Sequence, residues 1–217
     1  MIYICSPNNP TGVLPSRAAV DRVIAGASGV VILDEAYGEF TDAGRLGEGP
    51  AHERLLVTRT LSKAFGMAGF RIGYATGSAS LVRDIERVRG PYRENAPGER
   101  PAASALREDV AWMREMVALA VEHRERFATA LRAHGFQPYP SAANFILLPV
   151  PHAARVALLM RQRGVAVRPY LGLRGIGDTL RITIGPWPMM ELALDALLSA
   201  RDVVARESDL AIVGDGT

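Results

Sequence analysis

Short apolar runs alternate with longer amphipathic stretches along the first part of the chain. Strands are predicted at residues 2–5, 30–33, 55–58 and 70–75, and helices at residues 16–26 and 80–88. The run at 30–33 is continuously apolar, which is typical of a strand buried on both faces of a parallel sheet. Strands that alternate with helices in this way predict an open α/β sheet.

The second part of the chain has a different order of elements, which predicts a compact α+β unit. Helices are predicted at residues 102–134 (bent near Trp112), 152–163 and 188–205, and strands at 144–148, 165–168 and 180–184. Proline and glycine over residues 93–101 indicate a hinge, and the glycine-rich residues 164–177 indicate a mobile loop near a substrate. The predicted domains are therefore 1–92, and 93–205 with its interdomain helix, followed by a disordered tail at 206–217.

Composition excludes several classes of protein. The 217 residues are 48% hydrophobic and 22% charged, with 25 basic and 23 acidic side chains and no basic run that would suggest nucleic acid. Cys5 is the one cysteine and the histidines lack ligand spacing, so neither a disulfide framework nor a metal site is predicted. No apolar run approaches the length of about 18 residues that spans a membrane. We expect a soluble cytoplasmic protein without membrane contact.

The first three predicted strands each end in a polar cluster, at Asn9, at Asp34 and at Ser62-Lys63. In open α/β sheets ligands bind beyond the carboxyl ends of the strands, so these clusters predict one site. Lys63 lies in a turn between two apolar runs, and we interpret it as a lysine that forms a Schiff base. Such a lysine must be deprotonated, which requires partial burial or a neighbouring cation, and Arg71 lies close in sequence.

The other polar residues suit the parts of one cofactor. Asp34 ends an apolar strand and needs a cationic partner, which a protonated pyridine nitrogen would supply. Tyr37 and Asn9 are candidates for donating hydrogen bonds to an oxyanion. Ser62 and Arg71 suit a phosphate, as a hydroxyl and a permanently charged planar fork. Together they predict pyridoxal 5′-phosphate, which acts as an electron sink for carbanions.

Three motifs carry a family resemblance. In order and spacing they resemble the signatures of fold-type I pyridoxal-phosphate aminotransferases. The motifs are residues 6–12 (SPNNPTG), 34–37 (DEAY) and 62–71 (SKA, then glycine and arginine). Within that class residues 34–40 and 65–74 are most similar to histidinol-phosphate aminotransferases. Stretches at 167–170 and 180–185 continue the likeness. The resemblance implies the C-terminal part of the large, mainly parallel α/β domain, followed by a small α+β domain.

The resemblance also implies a role for each site residue. Lys63 would bind the cofactor and move a proton, Asp34 would pair with the pyridine nitrogen, and Asn9 and Tyr37 would hydrogen-bond the phenolic oxygen. Ser62 and Arg71 would bind the cofactor phosphate. In the second domain, Arg181 would bind the substrate α-carboxylate and Arg168 the substrate phosphate. The implied reaction exchanges histidinol phosphate and 2-oxoglutarate with imidazole-acetol phosphate and glutamate in a homodimer.

Other interpretations stay open. Asn9 alone could shape a turn, Asp34 could cap a helix, and Tyr37 could be packing; Arg168 and Arg181 could be solvated surface residues. The substrate could instead be of the aromatic, phenylalanine type, or that of a threonine-phosphate decarboxylase. Family members carry a further N-terminal segment that is not among these residues. This predicts either part of an aminotransferase, shortened by gene annotation, by choice of fragment or by a split gene, or a non-enzymatic remnant.

Overall fold

The computed structural model describes the backbone of residues 1–90 and 95–214, with side chains up to residue 207. Contacts divide the chain into two compact units, Met1–Leu119 and Ala120–Thr217. The sequence placed this boundary at residues 92 and 93. It lies later because Asn95 and Gly98 pack with the first unit: Asn95 donates a hydrogen bond to the Phe70 carbonyl over 3.0 Å, and a Cβ at Gly98 would lie 2.9 Å from that oxygen.

The first unit contains a four-stranded sheet in the order β1-β2-β3-β4. The strands are β1 (Ile2–Cys5), β2 (Val31–Asp34), β3 (Leu55–Thr60) and β4 (Gly73–Thr76). The helices are α1 (Arg17–Gly26), α2 (Ala79–Val88), α3 (Ala96–Glu108) and α4 (Val110–Ala133), of which α4 continues into the second unit. Three 3₁₀ turns lie at Gly38–Phe40, Leu46–Ala51 and Ala68–Phe70.

Helix α1 begins where the sequence predicts, because the Ser16 hydroxyl accepts a hydrogen bond from the Ala19 amide. Strands β1, β2 and β3 are parallel, in the register Cys5–Asp34–Thr58. Strand β4 is antiparallel to β3. Parallel neighbours are joined by a crossover, usually through an α-helix, whereas residues 61–72 between β3 and β4 contain only a 3₁₀ turn.

Strand β4 begins at Gly73, three residues later than predicted, because residues 68–70 form a 3₁₀ turn and Arg71 adopts a left-handed backbone with φ 54°. The burial of β2 also differs from the prediction. Val31 and Leu33 are buried with Leu55 and Val57 in one core, whereas Ile32, on the opposite face, is half-buried. Ile32 shares its face with Asp34, so the two faces of this strand differ in polarity.

The predicted hinge at 93–101 is wrong for the residues from Ala96 onward, because α3 begins there; residues 91–94 lie outside the described residues. Proline is compatible with the first turn of a helix, where its missing N–H would have no partner, and Pro97 lies there. The predicted bend near Trp112 corresponds to the break between α3 and α4 at Asp109.

The second unit contains a three-stranded antiparallel sheet in the order β5-β7-β6. Its elements are β5 (Phe145–Pro149), α5 (Ala153–Gln162), β6 (Arg168–Leu173), β7 (Gly177–Thr183) and α6 (Trp187–Gly214). The core is formed by one face of this sheet with the helices, and Phe127, Ile146, Met160, Leu180 and Leu197 are among its buried residues.

Two predictions for this unit are corrected. The glycine-rich stretch at 164–177 is mostly a β-hairpin, because β6 runs from Arg168 to Leu173 and Gly175 and Gly177 take positive φ at its turn. Helix α6 continues to Gly214, beyond the predicted end near 205, because no glycine or proline interrupts residues 206–213. Among the described helices, none is both long and apolar enough to cross a membrane.

Candidate active site

The parallel register brings three predicted site segments to one edge of the first unit's sheet. Cys5, Asp34 and Thr58 are neighbours across β1, β2 and β3. Asn9 follows β1, Asp34 ends β2, and Lys63 follows β3. The Lys63 Nζ lies 5.6 Å from the centroid of the Tyr37 ring, a contact between a cation and an aromatic face.

Asp34 uses its two carboxylate oxygens differently. Oδ1 accepts a hydrogen bond from the Ala36 amide over 2.9 Å, so this oxygen caps the turn that follows β2. Oδ2 accepts a hydrogen bond from the Tyr3 hydroxyl, and the Cys5 Sγ lies 3.8 Å away. Burial, together with the hydrogen bond and the negative charge of Asp34, raises the pKa of Tyr3. The capping interpretation of Asp34 therefore accounts for Oδ1, whereas Oδ2 faces the Tyr3 hydroxyl and the Cys5 thiol.

Lys63 is more accessible than its sequence context suggests. The residues that follow it, Ala64 and Phe65, are buried, but the lysine side chain is exposed. The turn is held by backbone hydrogen bonds from the Gly66 amide to the Lys63 carbonyl, and from the Met67 amide to the Leu61 carbonyl. Lys63 is also the only lysine among the 217 residues, against 24 arginines. The sequence contained this signal, and the motif interpretation did not use it.

Ser62 and Arg71 lie at the two ends of one closed loop. Their neighbours Leu61 and Ile72 are joined by a hydrogen bond from the Leu61 amide to the Ile72 carbonyl over 3.2 Å. The Arg71 side chain is exposed and donates to the Ala68 carbonyl over 3.1 Å. Its left-handed backbone is strained by about 1–3 kcal/mol for a residue with a side chain, and such strain concentrates at ligand sites.

Asn8 and Asn9 have different environments in the loop after β1. Asn8 shapes the turn: its side chain donates to the Thr11 hydroxyl over 2.8 Å, and its carbonyl accepts from the Gly12 amide over 2.7 Å. Asn9 is exposed, and its backbone contacts the Cys5 thiol. The turn-shaping alternative for Asn9 thus describes Asn8 better.

The sequence interpretation missed a buried ion-pair network that joins β3 to the segment after β2. Arg59 of β3 donates from Nη2 and Nε to Oε2 of Glu35 over 2.8 and 3.1 Å, and from Nη1 to Glu39 over 3.3 Å. Glu35 is 1% exposed, and its Oε1 accepts from the Arg45 amide over 2.6 Å. Burial raises the pKa of Glu39, and Arg59 opposes that shift. The signal was two acidic residues, Glu35 and Glu39, in a segment that also contains Ala36, Tyr37 and Phe40.

Arg168 and Arg181 lie in the second unit, directly opposite each other on β6 and β7. They share the face opposite the buried Leu180 and Ile182. Arg181 is half-buried, with its Cζ 5.1 Å from the Phe145 ring, so it is not the solvated residue of the alternative interpretation. Like charges directly opposite on a sheet repel, and a bound anion would relieve that repulsion.

The second unit also has a mainly apolar cavity of about 540 Å³. Phe136, Val150, His152 and Arg201 are among its lining residues, which include neither Arg168 nor Arg181. The described part of the chain also brings no three metal-ligating side chains together.

Residues 1–197 match the family model described as aminotransferase class I and II. The chain belongs to this family. The family resemblance expected from the sequence is thereby confirmed, and with it the fold class: the first unit is an α/β unit whose sheet is mainly parallel, and the second is an α+β unit.

Relatives in this aminotransferase family carry more specific names. The histidinol-phosphate aminotransferase of Caldanaerobacter subterraneus subsp. tengcongensis is 36% identical over 198 residues, which cover 91% of this chain and 56% of that protein. The chain thus spans little more than half of this relative's length. The crystal structure of histidinol-phosphate aminotransferase from Sinorhizobium meliloti in complex with pyridoxal 5′-phosphate has a TM-score of 0.79 and 26% identity, covering 93% of this chain and 57% of that one.

A third relative has a different activity. The crystal structure of L-threonine-O-3-phosphate decarboxylase from Porphyromonas gingivalis also has a TM-score of 0.79, at 25% identity, and covers 91% of this chain and 63% of that one. The family is therefore established, and the substrate is a matter for proposal.

Proposed function

We propose that this chain acts in pyridoxal 5′-phosphate-dependent transamination, with histidinol phosphate as amino donor and 2-oxoglutarate as acceptor. Family membership and the similarity to histidinol-phosphate aminotransferases support this proposal. The observation that carries it is the set of residues at the carboxyl ends of three parallel strands, with Lys63 beside Tyr37 and Asp34 at the end of the neighbouring strand.

The residues fit the cofactor in charge and in hydrogen-bonding capacity. Asp34 Oδ2 already accepts from a hydroxyl group, so its position suits a protonated ring nitrogen. Lys63 is exposed, so its amine can reach a carbonyl carbon. Ser62 and Arg71 lie next to the hydrogen bond that closes one loop, and their side chains suit a phosphate. The cofactor, when bound, supplies an electron sink for the substrate carbanion.

The chain's own residues would perform the remaining tasks. Asp34 keeps the ring nitrogen protonated through its negative charge. Asn9 and Tyr37 donate hydrogen bonds to the phenolic oxygen of the cofactor. Lys63 would be the general base and acid that removes a proton from the substrate α-carbon and moves it in a 1,3 shift.

In the second unit, we assign Arg181 to the α-carboxylate of 2-oxoglutarate or glutamate and Arg168 to the phosphate of histidinol phosphate. The direct pairing of these arginines across β6 and β7 supports an anion site on that face. Guanidinium groups bind carboxylates and phosphates through two parallel hydrogen bonds. The similarity to a threonine-phosphate decarboxylase supports a second candidate, because L-threonine-O-3-phosphate carries a carboxylate and a phosphate on one molecule.

The single lysine makes the test of cofactor binding direct. The chain is mixed with pyridoxal phosphate and reduced with borohydride, and its intact mass and peptides are then measured. We expect one covalent adduct on the Lys63 peptide and none there in Lys63→Ala, with the N-terminal amine as the one other amine that peptide mapping must separate. A wild-type chain that gains neither yellow colour nor an adduct at Lys63 would be the remnant of the alternative hypothesis.

The substrate assignment has its own test in Arg168→Ala. We expect the KM for histidinol phosphate to rise far more than that for phenylalanine, since phenylalanine has no phosphate. Arg174→Ala is the matched control, because this exposed arginine lies in the turn of the same hairpin. Equal effects of Arg168→Ala on both substrates would remove the phosphate assignment.

From the family resemblance we further propose a homodimer in the cytoplasm. Light scattering coupled to size-exclusion chromatography measures the oligomeric state. The mass of a single chain at micromolar concentration would contradict the dimer.

A further inference from the structure

The loop that carries Tyr37 is held from behind by Arg59. Glu35 and Glu39 lie two residues before and two residues after Tyr37, and both carboxylates contact the Arg59 guanidinium. Side chains of all three are largely buried, with 2%, 5% and 15% of their surface exposed for Glu35, Glu39 and Arg59. One arginine on β3 thus joins both ends of the segment that contains Tyr37.

The packing around this guanidinium leaves little space for movement. A Cβ at Gly38 would lie 3.1 Å from Arg59 Nη2 and 2.9 Å from Glu35 Cβ, and a Cβ at Gly44 would overlap Nη2. The loop therefore folds directly against the guanidinium plane. Arg59 also lies opposite Tyr74 on β4, and the two side chains are hydrogen-bonded.

We infer that Arg59 is a positioning residue that acts through Glu35 and Glu39 to hold the Tyr37 ring against Lys63. Arg59 precedes Lys63 by four residues on the strand that leads into the lysine turn. The same side chain that anchors the Tyr37 loop therefore belongs to the strand that precedes the Lys63 turn. Displacing the loop would move Tyr37 away from its place 5.6 Å from the lysine amine. The positioning of Tyr37 by Arg59 does not depend on the proposed function. Only its effect on the reaction of Lys63 with the cofactor rests on that proposal.

The charges around the network define the variants. Arg59 faces two carboxylates, and the Oε2 of Glu39 has no hydrogen-bond partner among the described residues. Arg59→Met removes the charge and the fork, and Arg59→Lys keeps the charge but loses the fork. Arg87→Met is the control, since Arg87 lies on α2 with 76% of its side chain exposed.

Two measurements test the inference. The first is hydrogen–deuterium exchange of residues 34–40 in the cofactor-free chain, which needs no activity. We expect about 10- to 100-fold faster exchange there in Arg59→Met, a smaller increase in Arg59→Lys, and no change in Arg87→Met. The second is the rate of borohydride-trapped adduct formation at Lys63 per folded molecule, which we expect to fall by about 10- to 100-fold in Arg59→Met, with partial recovery in Arg59→Lys.

The outcomes separate this inference from the proposed function. A wild-type chain without an adduct contradicts the proposed function, and exchange at 34–40 then decides the positioning role alone. A purely structural Arg59 would speed exchange equally in all peptides and leave trapping per folded molecule unchanged, which would overturn the inference. If Arg59→Met does not fold, Glu39→Gln takes its place, because it keeps Arg59 and removes the charge from the 3.3 Å contact. Unchanged local exchange in that folded variant would also overturn the inference.

Discussion

Replacing Glu35 by glutamine removes one of the two acceptor oxygens on which the buried network depends. In the wild-type chain Oε1 accepts from the Arg45 amide, and Oε2 accepts twice from Arg59. A glutamine has one oxygen and one amino group, so one of these donors must face another donor whichever way the amide is turned. The replacement changes the volume of the side chain little, so the effect is one of hydrogen bonding and charge.

The size of the effect follows from these contacts. If the oxygen keeps Arg59, the Arg45 amide remains buried and unbonded, which costs about 1–3 kcal/mol. The bonds to Arg59 then also lose the assistance of a negative charge, which costs about 1 kcal/mol more. We therefore expect Glu35→Gln to lower the free energy of unfolding of the first unit by about 2–4 kcal/mol.

Urea titration measures this loss. The chain has two tryptophans, Trp112 in the first unit and Trp187 in the second, so a Trp187→Phe background makes Trp112 the fluorescent reporter of the first unit. With a slope of about 2 kcal/mol per molar urea, the midpoint falls by about 1–2 M. Glu86→Gln is the control, because Glu86 forms a partly exposed ion pair with Arg89 at the end of α2, worth about 0.5 kcal/mol or less. Equal midpoints for the two variants would refute a stabilising role of the buried carboxylate.

Two further predictions concern pH and backbone packing. Burial raises the folded-state pKa of Glu39 above its ordinary value of 4.5, so the stability that this group contributes falls as the pH rises from about 4.5 through the raised pKa. Glu39→Gln should therefore flatten the dependence of stability on pH in that window, which urea midpoints at successive pH values measure. An unaltered curve would contradict the prediction. In the 3₁₀ turn Leu46–Ala51, a Cβ at Gly49 would lie 2.5 Å from the Thr76 carbonyl oxygen, whereas a Cβ at Gly47 would have open space around it. Gly49→Ala should cost about 1–3 kcal/mol and Gly47→Ala should be neutral or slightly stabilising, so similar melting temperatures would disprove the packing argument.

Much of the fold follows from local pattern. The apolar runs at β1, β2 and β3 and the serine cap of α1 are encoded within a few residues of each element, so the sequence predicts them closely. The order of Asn9, Asp34 and Lys63 along the chain also predicts their common edge, because carboxyl ends of neighbouring parallel strands meet there. Periodicity and turn chemistry act over short distances, and these features depend on nothing else.

Other features were decided by long-range packing. The antiparallel direction of β4 depends on the loop closed by the hydrogen bond between Leu61 and Ile72. The hairpin of β6 and β7 depends on strand pairing, whereas the glycine content of this stretch predicted a loop. The contacts of Tyr3 with Asp34 and of Arg59 with Glu35 join residues more than twenty positions apart.

The sequence by itself therefore determined the family and predicted Lys63 as the reactive lysine, since both rest on ordered local motifs. Only the tertiary structure decided which charges are buried and which carboxylate oxygen faces a donor. The reason is physical: a residue's type sets what it can bind, but burial and partners depend on strand register and on segments that are distant along the chain.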